Sequence, residues 1–144
     1  MNIDFARLTT ATPEAVDQIN LLISQLKPAW DPVTVTGLAQ VIESPTRVYV
    51  ARCDQSIVGM TLLVPHRHLP GLRYHIEDVV VDTAHRRQGI ARTLLTAAMA
   101  DVADGVLSFD LRSHHTRRAA HALYVGLGFE PSETAVFRRP LTSG

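Results

Sequence analysis

"VVVDTAHRRQGIARTLL", residues 79–95, passes from a β-branched stretch through a basic turn into an amphipathic run. The valines read as the end of a strand, part of "YHIEDVVVD" over 74–82. Beyond them Ile90, Ala91, Leu94, Leu95, Ala98, Met99 and Val102 keep helical spacing. Arg86, Arg87 and Arg92 sit where that helix begins. The first N–H groups of a helix lack a partner within it, and its dipole is positive at that end, so a helix start attracts anions. Three arginines added there point to a bound phosphate rather than to mere solubility. The sequence carries neither G-x-x-x-x-G-K-[ST] nor G-x-G-x-x-G. In their place stands Arg86-x-x-Gly89-x-Ala91, where Gly89 lets the backbone approach a bulky anion and Ala91 keeps the first turn narrow.

Outward from this stretch, "VLSFDLRS" (106–113) reads as the next strand. The strand–helix–strand unit over 74–112 then implies a parallel crossover. Upstream, residues 2–9 read as a first strand. Thr12-Pro13-Glu14 opens a helix that runs to about Leu26, and a weaker one runs from about Thr34 to Ile42. "RVYVARCD" and "SIVGMTLLVP" read as a hairpin turning at Asp54-Gln55, and "HRHLPGLR" as a loop. Downstream, a helix over about 118–127 ends at Gly128, and "FEPSETAVFRRPL" reads as one or two closing strands.

A chain of 144 residues fits one domain, 1–144, able to bury a proper core. Its zero formal net charge gives no global electrostatic case for nucleic acid or membrane binding. Cys53 is the only cysteine, which excludes an internal disulfide and any multi-cysteine metal site. The seven histidines show no strong metal-ligand spacing, so no metal is expected. The N-terminus lacks an apolar signal region and no run is long enough to span a bilayer, so a cytoplasmic protein is the expectation.

Residues 79–95 resemble motif A of the GNAT superfamily of N-acetyltransferases, whose pattern Q/R-x-x-G-x-G/A follows a strand. "AAHALYVGLGF" (119–129) is similar to the superfamily's second landmark, a helix bearing a tyrosine and closing in a Gly-Phe pair. The resemblance implies an α/β fold: a mixed twisted sheet of about six to seven strands flanked by about four helices. It also implies acetyl-CoA as cosubstrate and acetyl transfer to a primary amine. The anion at the helix start is then the CoA pyrophosphate, held around Arg86, Arg87, Gln88, Gly89, Ile90, Ala91 and Arg92. Val79, Val80 and Val81 would lie along the pantetheine arm, bonding to it through main chain like an added strand. The superfamily's asparagine seven residues before the tyrosine is replaced by Arg117. With Arg112, His114, His115 and Arg118 it forms a basic segment, suited to the 3′-phosphate of CoA or an anionic substrate, or simply solvated.

A primary amine with a reference pKa of about 10 is mostly ammonium at neutral pH, so a base must remove its proton. Glu77 shares a strand face with Val79 and Val81 if no bulge intervenes. Asp78 points the other way, a bulge would exchange the two, and water is the third alternative. Tyr124 matches the tyrosine that the superfamily uses to protonate the departing thiolate, the alternative being a core aromatic. "HIEDVVV" is also similar to the corresponding strand of glucosamine-6-phosphate N-acetyltransferases, which raises a phosphorylated amine as substrate. His75, Asp78 and Arg112 are candidate substrate contacts. The expected reaction is direct transfer in a ternary complex, because Cys53 lies far from these motifs in sequence. The partners expected are a small-molecule amine and, as is common in proteins it resembles, a second copy in a homodimer. A protein or peptide acetyltransferase and a non-catalytic CoA-binding regulatory module are the rivals.

Overall fold

Two helices near the N-terminus begin where a threonine can cap them. Thr12 Oγ1 accepts from Ala15 N at 3.1 Å to open α1 (Pro13–Leu26), and Thr34 Oγ1 accepts from Gly37 N at 2.9 Å to open α2 (Val35–Glu43). The structure, a computed structural model, describes residues 2–141. It divides into two units at Arg112/Ser113.

The first unit holds β1 (Ile3–Leu8), α1, α2, β2 (Arg47–Cys53), β3 (Ser56–His68), β4 (Gly71–Val81), a 3-10 turn at Thr83–His85, α3 (Ile90–Val102) and β5 (Val106–Leu111). Its sheet runs in the order β1-β2-β3-β4-β5, antiparallel throughout except for the parallel β4–β5 pair. The β4–α3–β5 crossover is therefore present, and the architecture is mixed α/β. Asp54 and Gln55 both take positive φ in the tight β2–β3 turn, as a two-residue hairpin loop requires.

Two expectations change. The stretch "HRHLPGLR" is hairpin rather than loop: His66, Arg67 and His68 pair with Arg73, Leu72 and Gly71 around a Leu69-Pro70 turn. That tip is largely exposed, so its residues carry no apolar alternation to reveal the strands. The sheet also has five strands rather than six or seven, because residues 129–141 form none. A strand exists only by pairing, and the described part of the second unit, whose helix is α4 (Arg118–Gly126), contains no strand.

Both faces of the sheet are covered. Leu8, Val48, Val50, Ile57, Met60 and Val80 meet Val16, Ile19, Leu22 and Ile23 of α1 and Leu38 of α2. On the other face Ala51, Cys53, Val58 and Val81 cluster with Ile90 of α3. The first turn of α3 comes close to the sheet at Gly59, where an added Cβ would stand 3.4 Å from Ile90 Cγ2.

Candidate functional site

In an antiparallel pair, residues directly opposite share a face. Met60 faces Val80 and Leu62 faces Glu77, so Asp78 and Val79 together oppose Thr61. That is a one-residue bulge, and Asp78 takes φ 54° within it. The fully buried Thr61 donates through Oγ1 to the Glu77 carbonyl at 3.2 Å. The bulge moves Glu77 off the face of Val81, where regular alternation would put it. It stands with Leu62 and Val80 on the α1–α2 side, its side chain exposed. Asp78 is half-buried with Oδ1 3.8 Å from Lys27 Nζ. Burial pushes its carboxyl above the ordinary carboxylate range, against the pull of Lys27.

The bulge coincides with a change in pairing. β4 pairs with β5 from Leu72 to Ile76 only, so over residues 77–81 that edge has no strand partner in the first unit. The edge leads into a turn held by side chains from elsewhere. Gln25, in the last turn of α1, donates to Asp82 Oδ1 at 2.9 Å and accepts from Thr83 N at 3.1 Å. His85 Nδ1 lies 3.0 Å from Asp82 Oδ2. The Gln25 bond, with help from His85, holds the Asp82 carboxyl below its usual range. Arg86 Nε donates to the Val81 carbonyl at 3.2 Å, tying the turn back to the strand end.

Arg87 (φ 65°) and Gly89 (φ 74°) are both left-handed, and Gly89 caps α3 without a side-chain acceptor. The first helical bond runs from Thr93 N to Gly89 O, so the amides of Ile90 and Ala91 precede it. A Cβ on Gly89 would meet nothing within 4 Å. Arg87, Gln88 and Arg92 are exposed around this open, donor-rich helix start, which has the chemistry to take a pyrophosphate.

On the Glu77 face of β4, His75 is in register with Val64 of β3 and Asp110 of β5. The His66 ring stacks on it with centroids 3.7 Å apart. Burial, then His66, pulls the His75 imidazole below its ordinary pKa, with Asp110 opposing. His75 is thus disposed to be neutral at neutral pH and can accept a proton. Arg112, just past β5, is exposed.

The second unit carries Tyr124, buried in α4, with the Phe129 ring edge-on at 6.1 Å. Gly128 (φ 94°) ends this helix, and Phe129 N donates to the Tyr124 carbonyl at 3.0 Å. Burial raises the phenol pKa while Arg117 opposes it, so the hydroxyl stays protonated and can donate. Arg117 stands exposed just before the helix, beside the stacked His114 and His115 rings. Sequence reading missed Gln25, Lys27 and Thr61, which reach the site only through tertiary packing. It also placed Cys53 remote from the motifs, whereas the buried thiol belongs to the cluster holding Val81 and Ile90. Among the described residues no group of three or more His, Cys, Asp or Glu is arranged to hold a metal ion, and no helix is long and apolar enough to cross a membrane.

Comparison with known proteins bears on the same stretch. A family model described as an acetyltransferase (GNAT) domain matches residues 44–131. Over 122 residues the chain is 29% identical to an uncharacterised protein of Mycobacterium leprae (strain TN), covering 84% of this chain and 33% of that protein. The chain therefore spans about a third of the length of the curated relative it matches. Among solved structures, an aminoglycoside acetyltransferase from an uncultured soil metagenomic sample, in complex with sisomicin, superposes with a TM-score of 0.86 at 18% identity, over 97% of each chain. A ribosomal-protein-alanine N-acetyltransferase from Brucella melitensis biovar Abortus 2308 gives 0.77 at 15% identity, over 96% of this chain and 99% of the other. AAC(6')-Iy, bound to a CoA-containing bisubstrate analogue, gives 0.78 at 18% identity, over 99% of this chain and all of the other. Likeness at these identities speaks for the fold alone, whereas the family model spans more than half of the sequence: the chain belongs to the GNAT acetyltransferases.

Proposed function

We propose that the chain, acting as a single domain over residues 1–144, moves an acetyl group from acetyl-CoA to the primary amine of a small molecule, directly within a ternary complex. One observation carries this reading. The edge of β4 without a strand partner in the first unit, residues 77–81, leads through the turn over residues 82–89 to the donor-rich start of α3. An extended amide-bearing arm ending in a pyrophosphate matches that sequence of features. Main chain of Val79–Val81 would bind the arm, and amides around Arg87–Arg92 the phosphates.

Glu77, exposed on the α1–α2 side, takes the ammonium proton directly or through a water. His75, two residues earlier on the same face, is the second acceptor within that stretch. Asp78 is the weaker candidate, since Lys27 already engages it. The freed amine lone pair attacks the thioester carbonyl carbon and the C–S bond breaks. Tyr124 Oη supplies a proton to the sulfur that leaves, a role suited to a phenol kept protonated by burial, and the acetylated nitrogen sheds its surplus proton through water to restore that phenol as the neutral amide forms. Arg73, paired opposite His66, and the exposed Arg112 favour an acceptor that also carries an anionic group.

The test is thermal unfolding with and without saturating acetyl-CoA, followed by thiol release over a panel of amines. A raised melting temperature with thiol release is expected, since a ligand of the native state stabilises it by mass action. No shift would overturn the cofactor assignment. A shift without turnover on any amine would favour the regulatory-module reading instead.

A further inference from the structure

Period-two alternation carries one set of side chains beyond the end of α3. Tyr49 lies on the α3 face, because its hydroxyl donates to Asp101 Oδ2 at 2.6 Å. Arg7 is paired opposite Tyr49, and Arg47 lies two residues before it on β2. Arg47 pairs with Leu63, so Pro65 and Arg67, two and four residues along β3, share the face. Opposite these stand Tyr74 and Leu72 of β4. Arg7, Arg47, Arg67, Pro65, Leu72 and Tyr74, with Pro45, line an open cavity of about 490 Å³.

The cavity has a charge imbalance. Arg47 Nη1 lies 3.3 Å from Asp101 Oδ2, the oxygen that also accepts from Tyr49. Arg7 and Arg67 form no ion pair with any described residue and are exposed at the rim. Of three guanidiniums lining the cavity only that of Arg47 is paired with a carboxylate, above a floor made by buried Tyr74 and half-buried Leu72. Guanidiniums match oxyanions in two-point geometry, and an aromatic floor suits a flat apolar body.

We infer that this cavity is a second ligand site, binding a small organic oxyanion whose apolar body rests on Tyr74 and Leu72. It is built wholly from the first unit, and no residue assigned to acetyl transfer lines it. The ligand carries a phosphate or a carboxylate, and the probes below distinguish these.

The experiment is calorimetric titration of the full chain, with CoA held at saturation so that the α3 start is not available to the probes. The probes are phenyl phosphate, benzoate, inorganic phosphate and benzyl alcohol. Phenyl phosphate or benzoate is expected to bind, the tighter of the two naming the headgroup, with inorganic phosphate weaker and benzyl alcohol silent. Arg7→Gln and Arg67→Gln should each weaken binding roughly fivefold, and the double variant by more than tenfold. Neither variant should alter CoA affinity. Absence of binding by both aromatic anions at millimolar concentration would overturn the proposal. So would unchanged affinity in the double variant, or inorganic phosphate binding as tightly as phenyl phosphate.

Discussion

In the reaction proposed above, the turn after β4 and the helix α4 stand for two ways of building a reactive site from the same chain. In the first, the work falls to main chain: a bulge at Asp78, a β4 edge lacking a strand partner among the described residues, and left-handed residues at Arg87 and Gly89. In the second it falls to one side-chain atom, the hydroxyl of buried Tyr124. Main-chain chemistry tolerates changes of side chain and fails when backbone conformation is disturbed. Side-chain chemistry does the reverse.

The largest effect expected is at Gly89. Its φ of 74° suits glycine, and a β-branched residue there costs roughly 1–2 kcal/mol. No protein atom lies within 4 Å of an added Cβ, so the fold has room for Gly89→Val. Its branches would instead fill the space given to the phosphates, and CoA affinity should fall by at least about a hundredfold, the loss of two charge-assisted hydrogen bonds. Titration of CoA against a folded variant measures this. Unchanged affinity would remove the phosphate site from the α3 start.

Tyr124→Phe comes next and probes the other kind of site. The ring remains, so stability and acetyl-CoA affinity should hardly move. Loss of the hydroxyl should lower kcat by roughly ten- to a thousandfold, a typical proton-transfer contribution. A packing tyrosine gives the opposite pattern: activity kept, and stability reduced by about 1 kcal/mol if a buried hydrogen bond is lost. Wild-type turnover with chemistry rate-limiting would end the general-acid assignment and leave the family intact.

Glu77→Gln should cost less, because water or His75 can share its task. The drop in kcat should be greatest at low pH, where most of the amine is ammonium, and should fade as pH nears the amine's own pKa. A deficit independent of pH would make Glu77 a positioning residue rather than a base.

The contrast also explains what the sequence disclosed. The β4–α3–β5 unit was legible because its apolar periods, its basic turn and Gly89 are local features of contiguous residues. Thr12 and Thr34 announced their helices for the same reason. The bulge was not legible: "HIEDVVV" reads as unbroken strand, and only pairing with β3 shows that two residues oppose Thr61. That single insertion decides which face of the sheet Glu77 takes. Gln25 and Lys27 gave no local signal either, since their partners Asp82 and Asp78 lie more than fifty residues along the chain. The closing strands failed because β-propensity describes a residue's fitness for a ladder and cannot supply the partner strand.

The smallest effect tests whether the side chains of β4 are electrically coupled beside its main-chain site. Burial, then His66, then Arg112 lower the His75 pKa, while Asp110 and Glu77 raise it. In the unfolded chain His75 titrates near 6.5. Between that value and its lower folded pKa the unfolded state binds the extra proton, so stability falls as pH drops through this window and levels off below it. Replacing His66 removes the second contribution, brings the folded pKa nearer 6.5 and narrows the window. Apart from His66 itself the titrating groups persist in both proteins, so the comparison is a difference of differences. Urea midpoints at pH 7.5 and 5.5 should therefore lie closer together in His66→Asn than in wild type, whatever the loss of the ring stack does to both. An equal or wider separation in the variant would mean that the stacked pair does not share its charge, and that burial with Arg112 keeps His75 neutral.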